Sequence, residues 1–154
     1  MADAVPRSVV EAFYEAFVAR DAQKLGPLLH DDVVWTISGP VNVLSYCGTH
    51  RGKAAVLDLI VRVVPALFHA VSFVQETVLV EGNRVAMLNR RSARRTTDGR
   101  MISYRVAVFL RFQDGQLIEN ISLLDSFDAA EQLLGHSLAP HESLPALQGD
   151  LIAV

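Results

Sequence analysis

The sequence predicts an α+β fold: a curved sheet, mixed or antiparallel, wrapped on three N-terminal helices into a cone-shaped, open barrel. Three observations predict it. Alternation with period two runs through Val85–Arg95, Arg100–Phe112 and Gln116–Leu124, and the joining turns Thr97-Asp98-Gly99 and Asp114-Gly115 carry the Asp-Gly hairpin signal. Helical apolar stripes are confined to the stretch before this meander and to a short segment after it. The chain has 154 residues, 51% hydrophobic and 20% charged, with nine Gly and six Pro, which suits one globular domain with a sizeable core.

The first helix is predicted over residues 6–20, with Val9, Val10, Phe13, Phe17 and Val18 on one stripe and Glu11, Glu15 and Arg20 opposite. Pro6 and Ser8 suit its first turn or cap. Asp21 can cap a second helix over residues 22–29, made irregular by Pro27. His30-Asp31-Asp32 then turns into a strand, Val33 to Ser38. Residues 39–50 read as a loop able to close over the interior. A third helix spans about residues 53–67, carrying Val56, Leu57, Ile60, Val63 and Val64, and Pro65 ends or bends it. A strand over Val71 to Val80 enters the meander through Glu81-Gly82-Asn83. Within the meander, Tyr104, Val106, Val108, Leu110 and Phe112 share one face, while Arg105, Ala107, Phe109 and Arg111 share a wetter one. Asp128-Ala-Ala-Glu131 has capping-box spacing for a helix over residues 129–134 that stops at Gly135. Residues 136–154 show no clean period and read as a tail, mobile or folded on a partner, beyond a single domain of residues 1–135.

Charge and cysteine content narrow the functional classes. A net charge of −3 speaks against nucleic acid, and Arg90, Arg91, Arg94, Arg95, Arg100 and Arg105 lack interleaved exposed aromatics, so they read as a solvated or dimer-forming face balanced by acids. The single Cys47 excludes a disulfide framework and multi-cysteine metal sites. No metal or other cofactor site is expected, because histidine–carboxylate spacing and a phosphate loop are both missing. No apolar run spans a bilayer, and the first residues lack a signal-peptide pattern, so a soluble cytoplasmic protein with no membrane partner is the default expectation.

Several stretches together carry a family resemblance: Phe13-Tyr14 with Phe17 and Asp21, Leu29-His-Asp-Asp32-Val-Val-Trp35, Gly48-Thr-His-Arg-Gly52, Phe112-Gln-Asp-Gly-Gln-Leu-Ile-Glu119 and Asp125-Ser-Phe-Asp-Ala-Ala-Glu-Gln-Leu-Leu-Gly135. Over residues 6–135 the chain resembles a SnoaL-like member of the nuclear-transport-factor-2-like superfamily, related to ketosteroid isomerase, limonene epoxide hydrolase and polyketide cyclases. The resemblance implies a cone with one internal, largely apolar pocket, and a homodimer through the outer sheet face. It fits the fold far better than any one activity, since the superfamily holds enzymes and non-enzymes.

The catalytic groups implied by the resemblance are replaced when positions are counted from Gly99 and Gly115. The isomerase base falls at Ile37 or Ser38, its neutral acid near Ala107 or Val108, and its oxyanion tyrosine near Phe13, one residue and about 100° from Tyr14. The epoxide-hydrolase Arg and first Asp fall at Asn89 and Arg91, and the second Asp at Ser122; its Tyr and Asn fall at Trp35 and Ile37. A one-residue gap restores Arg90 to the Arg position but leaves Ser92 for the acid. The cyclase acid also falls at Ser122, which cannot move a carbon-bound proton unaided.

On the inner face, Asn89, Arg91 and Ser122 are expected beside Trp35, Val106 and Val108. Arg91 either binds a carboxylate, enolate or carbonyl oxygen of a small hydrophobic ligand, oriented by Asn89 and Ser122, or pairs with Asp125 or another acid and closes the wide end of the cone. Asp125 and His50 are the candidate proton carriers beside Arg91, and Tyr14 and Tyr46 are candidate donors to a ligand oxygen. Two functions stay open: an isomerase, cyclase or hydrolase acting on a hydrophobic oxygenated compound, or a non-catalytic binding or accessory protein.

Overall fold

The structure is a computed structural model that describes residues 4–138, so the expected tail lies almost wholly outside the described residues. Six strands form one sheet in the order β2-β1-β6-β5-β4-β3, comprising β1 (Leu29–Ser38), β2 (Gly48–Arg51), β3 (Phe68–Glu81), β4 (Arg84–Arg95), β5 (Met101–Gln113) and β6 (Gln116–Leu124). β1 runs parallel to β6, and every other pairing is antiparallel, so the sheet is mixed. It is curved and unclosed, as the alternation predicts.

The helices line its concave side. α1 (Arg7–Ala19) buries Val10, Phe13 and Ala16 and ends at Arg20, whose φ of 54° is left-handed. Asp21 caps α2 (Ala22–Leu25) by accepting from the backbone N–H groups of Gln23 and Lys24, and Pro27 tightens the next three residues, Gly26–Leu28, into a 3-10 turn. The helix expected over residues 53–67 is three pieces: α3 (Lys53–Asp58), a wider π turn (Leu59–Val63) and α4 (Val64–Leu67). The expected bend is present, but it begins before the proline. Pro65 has no N–H to give and its ring crowds the preceding turn, so the chain loosens there and Val64 N–H reaches back to Leu59.

Three expectations are corrected. Leu29, read as the end of the second helix, and His30-Asp31-Asp32, read as a turn, already belong to β1. Residues 48–51 are a strand rather than part of a loop, pairing Trp35 with His50 and Thr36 with Thr49. The cap of α5 (Ser126–Leu134) is Asp125, which accepts from Asp128 N–H, rather than Asp128 itself. Gly135 ends α5 in the left-handed region, as expected. The tight β5–β6 turn has positive φ at both Asp114 (51°) and Gly115 (75°), which matches the twist of the flanking strands.

The core between sheet and helices is filled by Phe13, Leu25, Leu29, Val33, Phe68, Ile102, Phe112 and Leu117. Loop residues Leu44, Tyr46 and Cys47 are buried with them, held by Leu44 N–H to Pro40 and Cys47 N–H to Leu44. That packing leaves the middle of the cone open.

Candidate functional site

A cavity of about 110 Å³ lies between α1, the π turn and the inner face of β4, β5 and β6. That is room for about four waters or one compact organic molecule. Cross-strand register lines up its wall: Met87, Asn89 and Arg91 stand opposite Val108, Val106 and Tyr104, and Val108 and Leu110 stand opposite Ser122 and Asn120. Trp35 and Ile37 continue the rows beside Asn120 and Ser122. Phe13, Tyr14, Phe17 and Arg20 reach in from α1 and its end, and Tyr46 from the loop. The aromatic side is continuous: Phe17 lies 6.3 Å from Phe13, 5.7 Å from Trp35 and 5.6 Å from Phe73, centroid to centroid.

The polar groups of this wall fall into two sets. Asn120 Nδ2 donates to Ser122 Oγ at 3.0 Å and contacts the Thr36 carbonyl at 3.4 Å, so that pair is satisfied within the protein. In contrast, Tyr14 Oη and Asn89 Oδ1 are buried with no hydrogen-bond partner. Native interiors rarely leave such atoms unpaired, because each costs about 1–3 kcal/mol in lost hydration. Burial raises the Tyr14 pKa, which keeps its hydroxyl protonated as a donor at neutral pH.

Arg91 is 7% exposed and forms no ion pair among the described residues. Its Nη1 donates to Tyr104 Oη, and its guanidinium lies 4.6 Å from the Phe68 ring centroid and 5.8 Å from that of Tyr46. Tyr104 and Tyr46 share a hydroxyl hydrogen bond of 2.9 Å. Burial, then the neighbouring Tyr104, push the Tyr46 pKa far up. Burial pushes the Cys47 thiol up to about 11 against the opposing pull of Arg91.

Of the residues expected at the site, Arg91, Trp35, Asn89, Ser122, Tyr46, Val108 and Tyr14 all line this cavity. His50 and Asp125 do not. His50 stands on β2 with Nε2 3.3 Å from the Tyr46 carbonyl, and Asp125 is exposed and engaged as the α5 cap. No carboxylate or imidazole among the described residues lines the cavity, and none of these residues group as a metal site would require. Sequence reasoning missed Arg20, Tyr104 and Asn120. Tyr104 and Asn120 were accessible from period two, being in register with Arg91 and Leu110; Arg20 reads as the solvated end of a helix.

The six arginines expected as one basic face divide by side. Arg90 and Arg105 share Glu76, at 3.3 and 3.0 Å, and Arg95 and Arg100 share Asp98, at 2.5 and 3.9 Å.

Comparison with known proteins agrees with this architecture. The sequence profile of the SnoaL-like domain matches residues 10–120. A proposed isomerase from Rhodopseudomonas palustris is 29% identical with a TM-score of 0.75, over 83% of this chain and 97% of that one. An LEH-like epoxide hydrolase of M. tuberculosis is 19% identical (TM-score 0.66; 83% and 88% covered), and a proposed SnoaL-like polyketide cyclase from Jannaschia is 15% identical (TM-score 0.69; 82% and 89% covered). At those identities the last two speak for the cone fold alone. No curated protein matches the sequence. No helix among the described residues is long and apolar enough to cross a membrane.

Proposed function

The chain belongs to the SnoaL-like domain family, and on that premise we propose that it binds a small, largely apolar, oxygen-bearing molecule inside the cone. The observation that carries this reading is the pair of orphaned atoms, Tyr14 Oη and Asn89 Oδ1, buried in a wall that is otherwise aromatic and aliphatic. A ligand oxygen and hydroxyl would satisfy both. Binding is favoured over turnover because the described lining holds no group suited to carry a proton near neutral pH. Turnover is the second reading, supported by Arg91 and Tyr14 as donors able to stabilise developing negative charge in an isomerase-, cyclase- or hydrolase-like reaction.

The test is binding of a panel of one- and two-ring ketones, phenols and acids, read by ligand-observed NMR. At least one member should bind, and Val108→Phe, which fills the cavity, should remain folded and lose it. No binding across the panel, or equal binding by the filled variant, would end this reading.

A homodimer through the outer sheet face belongs to the same proposal. Phe109, Ile121 and Leu123 are exposed there beside Leu88 and Ala107, and the register flanks them with the charged row Arg84, Arg111, Glu119 on one side and with Arg90 and Arg105, ion-paired to Glu76, on the other. Acids among the arginines suit a second copy of the chain better than nucleic acid. Phe109→Glu should shift sedimentation from dimer to monomer.

A further inference from the structure

Two arginines line the cavity, Arg91 in its wall and Arg20 at its α1 end. Neither has a carboxylate partner among the described residues, and Arg20 makes no side-chain hydrogen bond there. Arg20 also sits in an unusual place. It ends α1 at φ 54°, where glycine or asparagine is favoured and a long side chain carries a backbone cost. That residue choice is unexplained by the helix and explained by the cavity its side chain reaches. Burial, and then the positive charge of Arg91, lower the pKa of Arg20, so the two cations share one field.

The hydrogen-bonding groups are just as lopsided. Arg91 has one hydrogen bond for its five N–H groups, to Tyr104. With Tyr104 Oη accepting from Arg91, the Tyr46–Tyr104 pair has two hydroxyl protons and one bond between them, leaving one proton over. Tyr14 adds another free hydroxyl, and Asn120 and Ser122 are tied to each other. The unengaged acceptor is Asn89 Oδ1. A wall with two uncompensated cations, surplus donors and one spare acceptor fits a ligand that brings negative charge and acceptor oxygens.

Resting on the cavity-binding reading above, we propose that the occupant is a flat organic acid. Its ring lies on the aromatic side formed by Phe13, Phe17, Trp35 and Phe73, and its deprotonated oxygen group, a carboxylate or an acidic enol, is bound by Arg20 and Arg91 together. A hydroxyl next to that group would donate to Asn89.

The experiment titrates the intact protein calorimetrically with matched pairs: naphthoate and naphthamide, cinnamate and cinnamamide, and hydroxycoumarin and its methyl ether, the last pair separating an enol from a carboxylate. The acid of at least one pair should bind about tenfold or more tighter than its neutral twin. Arg20→Gln should remove most of that preference by lowering the acid's affinity far more than the neutral twin's, and Arg91→Met should do the same. Arg20 is half-buried at a helix end, so its variant folds even if the Arg91 variant does not. Acids and neutral twins binding alike, or Arg20→Gln leaving the acid's affinity intact, overturns the anion assignment and spares the cavity reading. Binding by neither member of any pair overturns both.

Discussion

Arg90 and Arg91 are adjacent in the chain and stand on opposite sides of the same strand. Arg90 faces outward, shares Glu76 with Arg105 across the sheet, and stays nearly half exposed. Arg91 faces inward, is almost fully buried, and meets phenol and aromatic rings where an acid would be expected. The same side chain is thus balanced on one face and left electrostatically open on the other. Exposed ion pairs contribute little, so the outer set can vary without consequence for the fold. A buried cation without an acid has no such freedom, and under the proposed reading a ligand's negative group would supply the missing partner.

That contrast can be broken most directly at its inner member. Arg91→Met should cost about tenfold or more in affinity for an acidic ligand, yet leave the empty protein within about 1–2 kcal/mol of its parent or more stable, because an unpaired interior charge is removed. Arg90→Met should change neither ligand binding nor, by more than about 0.5 kcal/mol, the unfolding midpoint. A large stability loss at Arg91 with unchanged binding would reverse the two roles.

Cys47 sharpens the inner side as a reporter of the same charge. With its pKa near 11, native Cys47 should alkylate at pH 9 some tens of times more slowly than in denaturant, since about 1% rather than about half would be thiolate. Because Arg91 opposes the rise, Arg91→Met should slow the reaction further. The loop carrying Cys47 and Tyr46 can also be pushed directly. A Cβ at Gly39 would lie 2.6 Å from Cys47 Sγ and 3.3 Å from Leu44, so Gly39→Ala should cost about 1–3 kcal/mol in chemical denaturation.

The satisfied polar pair gives a smaller effect. Ser122→Ala removes the partner of Asn120 and should cost about 1 kcal/mol while leaving affinity for an acid nearly unchanged. Smallest of all, Glu76→Gln on the outer face should lower stability by less than about 1 kcal/mol, and by nothing measurable at high salt.

The sequence made the meander readable because its three strands, β4, β5 and β6, keep period two and the turns between them carry glycine. It also placed Asn89, Arg91 and Ser122 on one face, since period two leaves no choice of side once Val106 and Val108 point inward. β2 escaped because Gly48-Thr-His-Arg51 is short, polar and at the sheet edge, where pairing with β1 rather than composition makes the strand. Asp125 and Asp128 each look like a cap, and only the backbone geometry chose between them. Arg20 was hidden for a different reason. Its direction comes from a left-handed residue at the end of α1, a feature no helical period reveals.

The parallel alliance of β1 with β6 has a temporal consequence. Trp35 meets Asn120 and Ile37 meets Ser122 only after the intervening hairpins have been made and folded back, so the chamber is sealed by some of the most sequence-distant contacts in the domain. A chain still emerging from the ribosome would own the first helices and β1 but no enclosed space, and ligand capture would therefore mark the completion of folding rather than assist its beginning.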